Sequence, residues 1–445
     1  MKKIIYNLIV ICDKIFIFLQ FNLINILSIN KKKYALLIEG SWGHLIQGIF
    51  YLNLLDKKNT KKVIVILDYE KFNTSIQDFS QNCQIFKIYS IFFILNRDFS
   101  QYPKEFEIKI KEYLKKTFHK AYFDIDLILY NKQKSYPNAK ILSKYISKKI
   151  SKQKIFSWQL HSLNDTRNGY KKNFFKPNYK SKKKINKIFD LRINEIKNSI
   201  LISVRQRNKV LKNPNFSKKI KNKIYRNISP FKYLRDGNIK NFKIAINYLL
   251  KNTNYKIFLN GDINGIDINH KNFFTYKDFK RKTSKNFYRL SLQTLCKFHI
   301  SNTGGISKIM QFNNCKFLFL DAWPPIIFTP NSIFLYKRMI YNNKNINCYD
   351  YLKMYKMACE KQKDKNSFLE SLEIYEKFRD AKNYKIIPSS ENQILRSLDE
   401  FLILISNKKR LNIKNDIYKK VPKYIQKILT ENNCLISSGN LEKKN

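Results

Sequence analysis

The sequence predicts an α/β protein of two Rossmann-like domains, with an apolar helix before them and a helical tail after them. Short apolar runs of strand length alternate with amphipathic helices, which is typical of parallel sheets with right-handed crossovers. The alternation stops at a polar, lysine-rich stretch and then begins again. We therefore divide the chain into an N-terminal helix, an N-terminal domain, a linker, a C-terminal domain and a helical extension, at residues 1–30, 31–165, 166–195, 196–341 and 342–445.

The composition limits the compartment and the partners. The formal net charge is +53, and the lysines are spread along the whole chain together with abundant Ile and Asn. That pattern indicates that most lysines lie on solvent-exposed faces, so we expect no nucleic-acid partner. The positive charge nevertheless suits an anionic membrane surface. The seven cysteines include no Cys-x-x-Cys pair. This spacing argues against a disulfide framework or a zinc site and favours a reducing, cytoplasmic location.

The first segment is apolar, but it is not uniformly so. Residues 4–29 lie between one pair of lysines and one triplet of lysines, and they carry Asp13 and Lys14 near their middle. Three interpretations stay open: a helix lying in a membrane interface, a helix packed on the first domain, and a membrane-spanning helix. No small-residue cleavage site of a signal peptide is evident.

The first domain offers two groups that can accept a proton. Tyr34–Glu39 is predicted to be a buried strand, and the glycine-bearing turn Gly40–His44 follows it. Residues at this position line the ligand crevice of an open parallel sheet. Glu39 and His44 are the side chains in the turn with acid–base capacity. We expect one of them to act as a catalytic base, or else Glu39 to cap the helix and His44 to orient a ligand.

In the second domain, charged and glycine residues again follow predicted strands. Ser199–Val204 is followed by Arg205, and Tyr255–Asn260 by Gly261. The strand at Phe298–Ser301 leads into Asn302, Thr303, Gly304 and Gly305, which open the next helix. Backbone N–H groups at such a turn can receive a phosphate, and the planar fork of arginine suits a pyrophosphate. This pattern predicts a phosphate-binding crevice.

Other chemistries have little support in the sequence. There is no Gly-x-x-x-x-Gly-Lys-Ser/Thr loop, no Gly-x-Ser-x-Gly elbow and no His-Glu-x-x-His helix. Asp124-Ile125-Asp126 has the form of a metal-binding pair, but an apolar run follows it directly, which favours the start of a strand. We predict no metal site.

Several of these elements occur together in an order that resembles a bacterial family of GT-B glycosyltransferases of cell-surface polysaccharide synthesis. The resemblance is clearest over Leu201–Lys337. The pieces that carry it are Val204-Arg205, Tyr225-Arg226-Asn227, Gly261, Cys296–Ile300 with Thr303-Gly304-Gly305, Phe317–Pro325 and Lys337, with Gly43-His44-Leu45 in the first domain. Asp321 stands where the family has Asn before the proline.

The resemblance implies a sugar transferase that uses a nucleotide sugar as co-substrate and holds no tightly bound cofactor. Its donor site would comprise Arg205, Arg226, Asn227, Gly261, Asn302, Thr303, Gly304, Gly305 and Lys337. The acceptor would be a glycan or a lipid-linked glycan at the cytoplasmic face of the inner membrane, near His44 and Glu39. Two other readings remain: another sugar-nucleotide enzyme such as an epimerase, and a non-catalytic basic protein that binds membrane or nucleic acid.

Overall fold

The chain forms two compact units, Met1–Leu160 and His161–Asn445. The computed structural model describes residues 2–27, 32–37, 46, 49, 62–67, 74–80, 83–88, 127–130, 175–205, 236–261, 266–302, 308–323, 330–341, 343–350, 384–406, 415–420, 423, 426, 429–430 and 433–441.

The first unit contains a parallel four-stranded sheet. The strands are β1 (Lys32–Leu37), β2 (Lys62–Leu67), β3 (Cys83–Ile88) and β4 (Leu127–Tyr130). Their order across the sheet is β3-β2-β1-β4, and each neighbouring pair is parallel. Strand β2 has the predicted bounds, whereas β1 begins and ends two residues before the predicted strand.

The helix that precedes this sheet, α1, extends from Lys2 to Leu27. It packs on β3 and buries Ile24, while Phe16 and Gln20 are half-buried. Ile46, Ile49, Ile76 and Phe79 are also fully buried in this unit. Among the helices that the structure describes, none is long and apolar enough to cross a membrane.

The second unit is built on a parallel seven-stranded sheet. Its strands are β5 (Ile200–Ser203), β6 (Ile257–Asn260), β7 (Phe273–Phe274), β8 (Phe298–Ser301), β9 (Lys316–Ala322), β10 (Ser332–Tyr336) and β14 (Leu435–Ile436). Their order is β7-β6-β5-β8-β9-β10-β14. All neighbouring pairs are parallel. The α/β class and the parallel sheet predicted from the sequence are therefore confirmed.

The two faces of this sheet have different cores. Aliphatic side chains such as Ile202 and Leu318 face two long helices, α4 (Ile239–Asn252) and α8 (Glu391–Ser406). The other face is aromatic where it meets α2 (Tyr179–Phe189) and α6 (Lys285–Leu295), and the ring of Phe189 stacks on Tyr288 at 5.7 Å between centroids. Successive side chains of a strand point to opposite faces of the sheet, so the strands contribute residues to both cores.

Short elements complete the second unit. The helices α3 (Ile193–Lys197), α5 (Tyr276–Phe279), α7 (Lys308–Phe312) and α9 (Asp416–Lys420) are each one to two turns long. A separate three-stranded antiparallel sheet joins β11 (Arg338–Tyr341), β12 (Lys344–Ile346) and β13 (Tyr384–Ile387), in the order β12-β11-β13.

Two predicted segments carry elements of the second unit. The expected linker 166–195 contains α2 and the start of α3, and α2 buries Ile185, Ile188 and Phe189. The expected helical extension 342–445 contributes strand β14 to the main sheet and helix α8 to its core. Both segments are polar along most of their length, but each carries an apolar stripe that the sheet faces bury.

Candidate functional site

The second sheet reverses its direction of growth between β5 and β8. From β5 the chain adds β6 and β7 on one side, and β8, β9 and β10 then follow on the other side. In open α/β sheets such a switch point leaves a crevice outside the carboxyl ends of the two central strands. Arg205 lies just beyond the end of β5, and Asn302 directly follows β8. Two of the predicted donor-site residues therefore meet at the switch point.

Asn302 holds the backbone of Arg205 in place. Its Oδ1 accepts a hydrogen bond from the Arg205 N–H at 2.9 Å, and its Nδ2 donates to the Arg205 carbonyl at 3.3 Å. Asn302 itself is fully buried. The two bonds join residues that are 97 positions apart in the chain. The direction of the chain at Arg205, beyond β5, is therefore set by a residue that follows the neighbouring strand β8.

Gly237 packs tightly against the same backbone, because its N–H donates to the Arg205 carbonyl at 3.0 Å. A Cβ at Gly237 would lie 2.8 Å from the ring of Phe242 and 3.2 Å from both Val204 and Asn302. Only glycine fits this approach without a shift of buried neighbours. Gly237 was not among the predicted site residues, although Asp-Gly-Asn before an amphipathic run is a recognisable turn and helix start.

A cluster of buried charged side chains lies next to Arg205. The Arg205 Nε is 3.7 Å from the Asp236 Oδ1, and Lys337 donates from its Nζ to the Asp236 carbonyl. Lys337 is only 3% exposed. Burial lowers its pKa, as does the charge of Arg205, while the carboxylates of Asp321 and Asp236 oppose that shift. The cationic side chains of Arg205 and Lys337 thus lie beside the anionic side chains of Asp236 and Asp321. The predicted donor-site residue Lys337 is therefore buried inside the second unit.

Asp321 connects this cluster to helix α4. Its Oδ2 accepts from the Asn238 N–H at 2.7 Å, and its Oδ1 accepts from the Asn241 Nδ2 at 2.8 Å. The residue has a φ of 54°, where the pairing of β9 with β10 shifts register. Aspartate tolerates this left-handed conformation better than most residues do. Its carboxylate therefore occupies the N-terminus of α4, where a phosphate from outside would otherwise be attracted.

A buried polar row lies at the carboxyl edge of the same strands. Asn260, Ser203 and Ser301 are adjacent in register on β6, β5 and β8, and all three are fully buried. Within the part of the chain that the structure describes, the amide atoms of Asn260 and the Ser203 Oγ have no hydrogen-bond partner. Gly261 follows with a φ of 151°, a conformation that favours glycine. The strand ends thus offer polar atoms with unused bonding capacity.

Sequence reasoning missed this row, although a signal was present: each of three apolar strands ends in a polar residue. Several predicted site residues lie outside the described part of the chain, namely Glu39, His44, Arg226, Asn227, Thr303, Gly304 and Gly305, as do Asp124 and Asp126. Among the described residues, no group of His, Cys, Asp and Glu side chains could hold a metal ion.

Comparison with known proteins gives structural likeness only. No protein-family model matches the chain, and no curated protein matches it. A family 9 glycosyl transferase from Veillonella parvula is similar, with 10% identity, a TM-score of 0.44 and coverage of 84% of this chain and 97% of that one. The E. coli heptosyltransferase WaaC with ADP-2-deoxy-2-fluoro heptose has 9% identity, a TM-score of 0.38 and coverage of 74% and 100%. The E. coli ADP-heptose LPS heptosyltransferase II has 10% identity, a TM-score of 0.38 and coverage of 77% and 98%. At these values the likenesses assign no residue and no substrate to this chain.

Proposed function

We propose that the protein is a glycosyltransferase that binds a nucleotide-sugar donor at the carboxyl edge of the seven-stranded sheet. The observation that carries the proposal is the position of Arg205, which Asn302 holds at the switch point of a parallel sheet. Such crevices bind nucleotides in open α/β sheets. The guanidinium group can form paired, charge-assisted hydrogen bonds to a diphosphate.

Arginine at this place can also support sugar transfer chemically. As the bond between sugar and diphosphate breaks, negative charge builds on the leaving diphosphate. A cation that is already oriented stabilises this charge without reorganising. Asp236 pairs with the Arg205 guanidinium, and Lys337 bonds to the Asp236 backbone. Together these two residues orient Arg205. In this proposal Lys337 is a positioning residue rather than a phosphate ligand.

The remaining predicted residues complete the proposal. Arg226, Asn227 and the turn Thr303–Gly305 would contact the donor. The acceptor, a glycan or lipid-linked glycan of cell-surface polysaccharide, would bind to the first unit. Either His44 or Glu39 would take the proton of the acceptor hydroxyl.

The direct test is nucleotide binding by the purified full chain, measured by calorimetry against UDP, GDP, ADP and CMP and their sugar conjugates. We expect one nucleotide diphosphate to bind selectively. Arg205→Ala should weaken that binding by about 1.5–3 kcal/mol, the scale of hydrogen bonds to charged groups. The matched control is Arg281→Ala, which removes the same charge from an exposed arginine of the same unit and should leave affinity unchanged.

Three results would contradict this proposal. Equal affinity in Arg205→Ala and the unmodified chain would remove Arg205 from the site. Absence of binding by a folded protein to every nucleotide would refute the donor site itself. Turnover of the nucleotide sugar with no added acceptor would identify a different sugar-nucleotide enzyme.

A further inference from the structure

Helix α1 exposes a continuous row of large apolar side chains. Eight of them are between 51% and 65% exposed. They are Leu8, Ile11, Ile15, Phe18, Leu19, Leu23, Ile26 and Leu27. Single exposed apolar residues are ordinary on protein surfaces, but a contiguous patch marks an interaction site.

The spacing of these residues places most of them on one face, which we call the α1 stripe. Successive members are separated mainly by three or four positions, which correspond to one turn of an α-helix. Helix α1 packs on β3, and Ile24, on the side of the helix opposite most of these residues, is buried. The α1 stripe therefore points away from the sheet and, from Leu8 to Leu27, extends over about 28 Å at 1.5 Å per residue.

Charge decides between the possible occupants of this face. Lys2 and Lys3 precede the stripe, Lys31, Lys32 and Lys33 follow it, and the whole chain carries a net charge of +53. A second copy of so basic a chain would be repelled at close range. An anionic bilayer offers apolar acyl chains to the stripe and negative headgroups to the lysines at both of its ends.

We propose that α1 lies in the surface plane of an anionic lipid bilayer, with the α1 stripe turned toward the acyl chains. The apolar contact supplies binding strength, and the flanking lysines select membranes that contain anionic headgroups. This inference is independent of the nucleotide site, because it concerns a different surface and a different ligand.

The test is co-sedimentation of the full chain with vesicles of phosphatidylcholine alone, and of phosphatidylcholine and phosphatidylglycerol in roughly equal parts. We expect strong binding to the second kind only. Leu19→Glu should lower the partition coefficient about tenfold or more, since it removes a leucine that the bilayer would cover and adds a charge that anionic lipid repels. The matched control is Ile403→Glu, the same kind of change at an exposed aliphatic residue of α8, which should leave partitioning within about twofold. The melting temperatures of both variants should equal that of the unmodified chain.

A second measurement locates the inserted face. Cys12 is exposed on α1, whereas the other described cysteines are buried. A polarity-sensitive fluorophore attached to Cys12 should shift its emission to shorter wavelength when anionic vesicles are added. The shift should disappear in Cys12→Ser.

Three results would overturn the proposal. These are Leu19→Glu binding as well as the unmodified chain, a Cys12 fluorophore that stays in water on bound vesicles, and a lipid-free dimer that Leu19→Glu dissociates. The last result would assign the stripe to a second copy of the chain.

Discussion

His299, in the middle of β8, should make the second unit sensitive to acid. Its side chain is fully buried, and within the described residues neither ring nitrogen has a hydrogen-bond partner. The ring meets Phe317 edge-on at 4.6 Å between centroids. This apolar environment disfavours the charged imidazolium, and burial lowers the pKa of His299 to about 3.

The sign and size of the effect follow from proton linkage. Between an unfolded pKa of about 6.5 and the folded value, the unfolded chain binds a proton that the folded chain does not. The free energy of unfolding therefore falls as the pH drops through this window, by about 1.4 kcal/mol per pH unit, or roughly 3 kcal/mol at pH 4. His299→Leu should abolish this contribution. At pH 7 it should be neutral or stabilising, since it removes two buried polar atoms that cost about 1–3 kcal/mol when unpaired.

Urea unfolding at several pH values tests the prediction. Trp323 is buried in the second unit, and with Trp42 and Trp158 replaced by Phe it becomes the only tryptophan of the chain. The matched control is Phe317→Leu, which disturbs the same contact but keeps the histidine. It should lower stability at every pH and keep the acid slope. If His299→Leu unfolds with the same pH dependence as the unmodified chain, the histidine is protonated or hydrated in the folded state and the reasoning is refuted.

Two further predictions concern the backbone around Arg205, and both are measured by urea unfolding. Gly237→Ala should cost about 1–3 kcal/mol, because the new Cβ would overlap the buried ring of Phe242; unchanged stability would show that the ring has room to move. Asp321→Ala should cost about 3–5 kcal/mol, because it removes a buried anion beside Lys337. Asp321→Asn removes the same charge but keeps the shape and the left-handed backbone, so it should cost about 2–4 kcal/mol, and unchanged stability in Asp321→Asn would contradict the role of the charge.

The charge cluster has a consequence for how the site works. Asp321 lies at the N-terminus of α4, and Lys337, directly after β10, bonds to the Asp236 carbonyl before α4. In the proposed donor site, a phosphate would therefore be directed away from α4 and toward Arg205. Because the cluster is buried and its charges are balanced, it can hold the arginine in one orientation before any ligand binds.

Local patterns in the sequence were enough to predict three central strands of the second sheet. The predicted strands lie within one or two residues of β5, β6 and β8, because strand length and composition are encoded locally. The placement of Arg205 at a strand end followed from the same pattern. The parallel class followed from the alternation of strands with helices.

Long-range pairing could not be read from the same patterns. Strand β14 joins the sheet beside β10 although about a hundred residues separate them. The linker and the tail were polar in composition, so their apolar stripes gave only a weak local signal, and helix packing determined their roles.

The sequence by itself determined which residues stand at the carboxyl ends of the strands, because a short apolar run and the glycine or polar residue that ends it are local properties. Only the tertiary structure decided what those residues touch. Asn302 reaches Arg205 across 97 positions, and Lys337 turns inward to Asp236 across 101 positions. Such contacts depend on the sheet order, which is selected by the burial of both faces at once and is not encoded in any single segment.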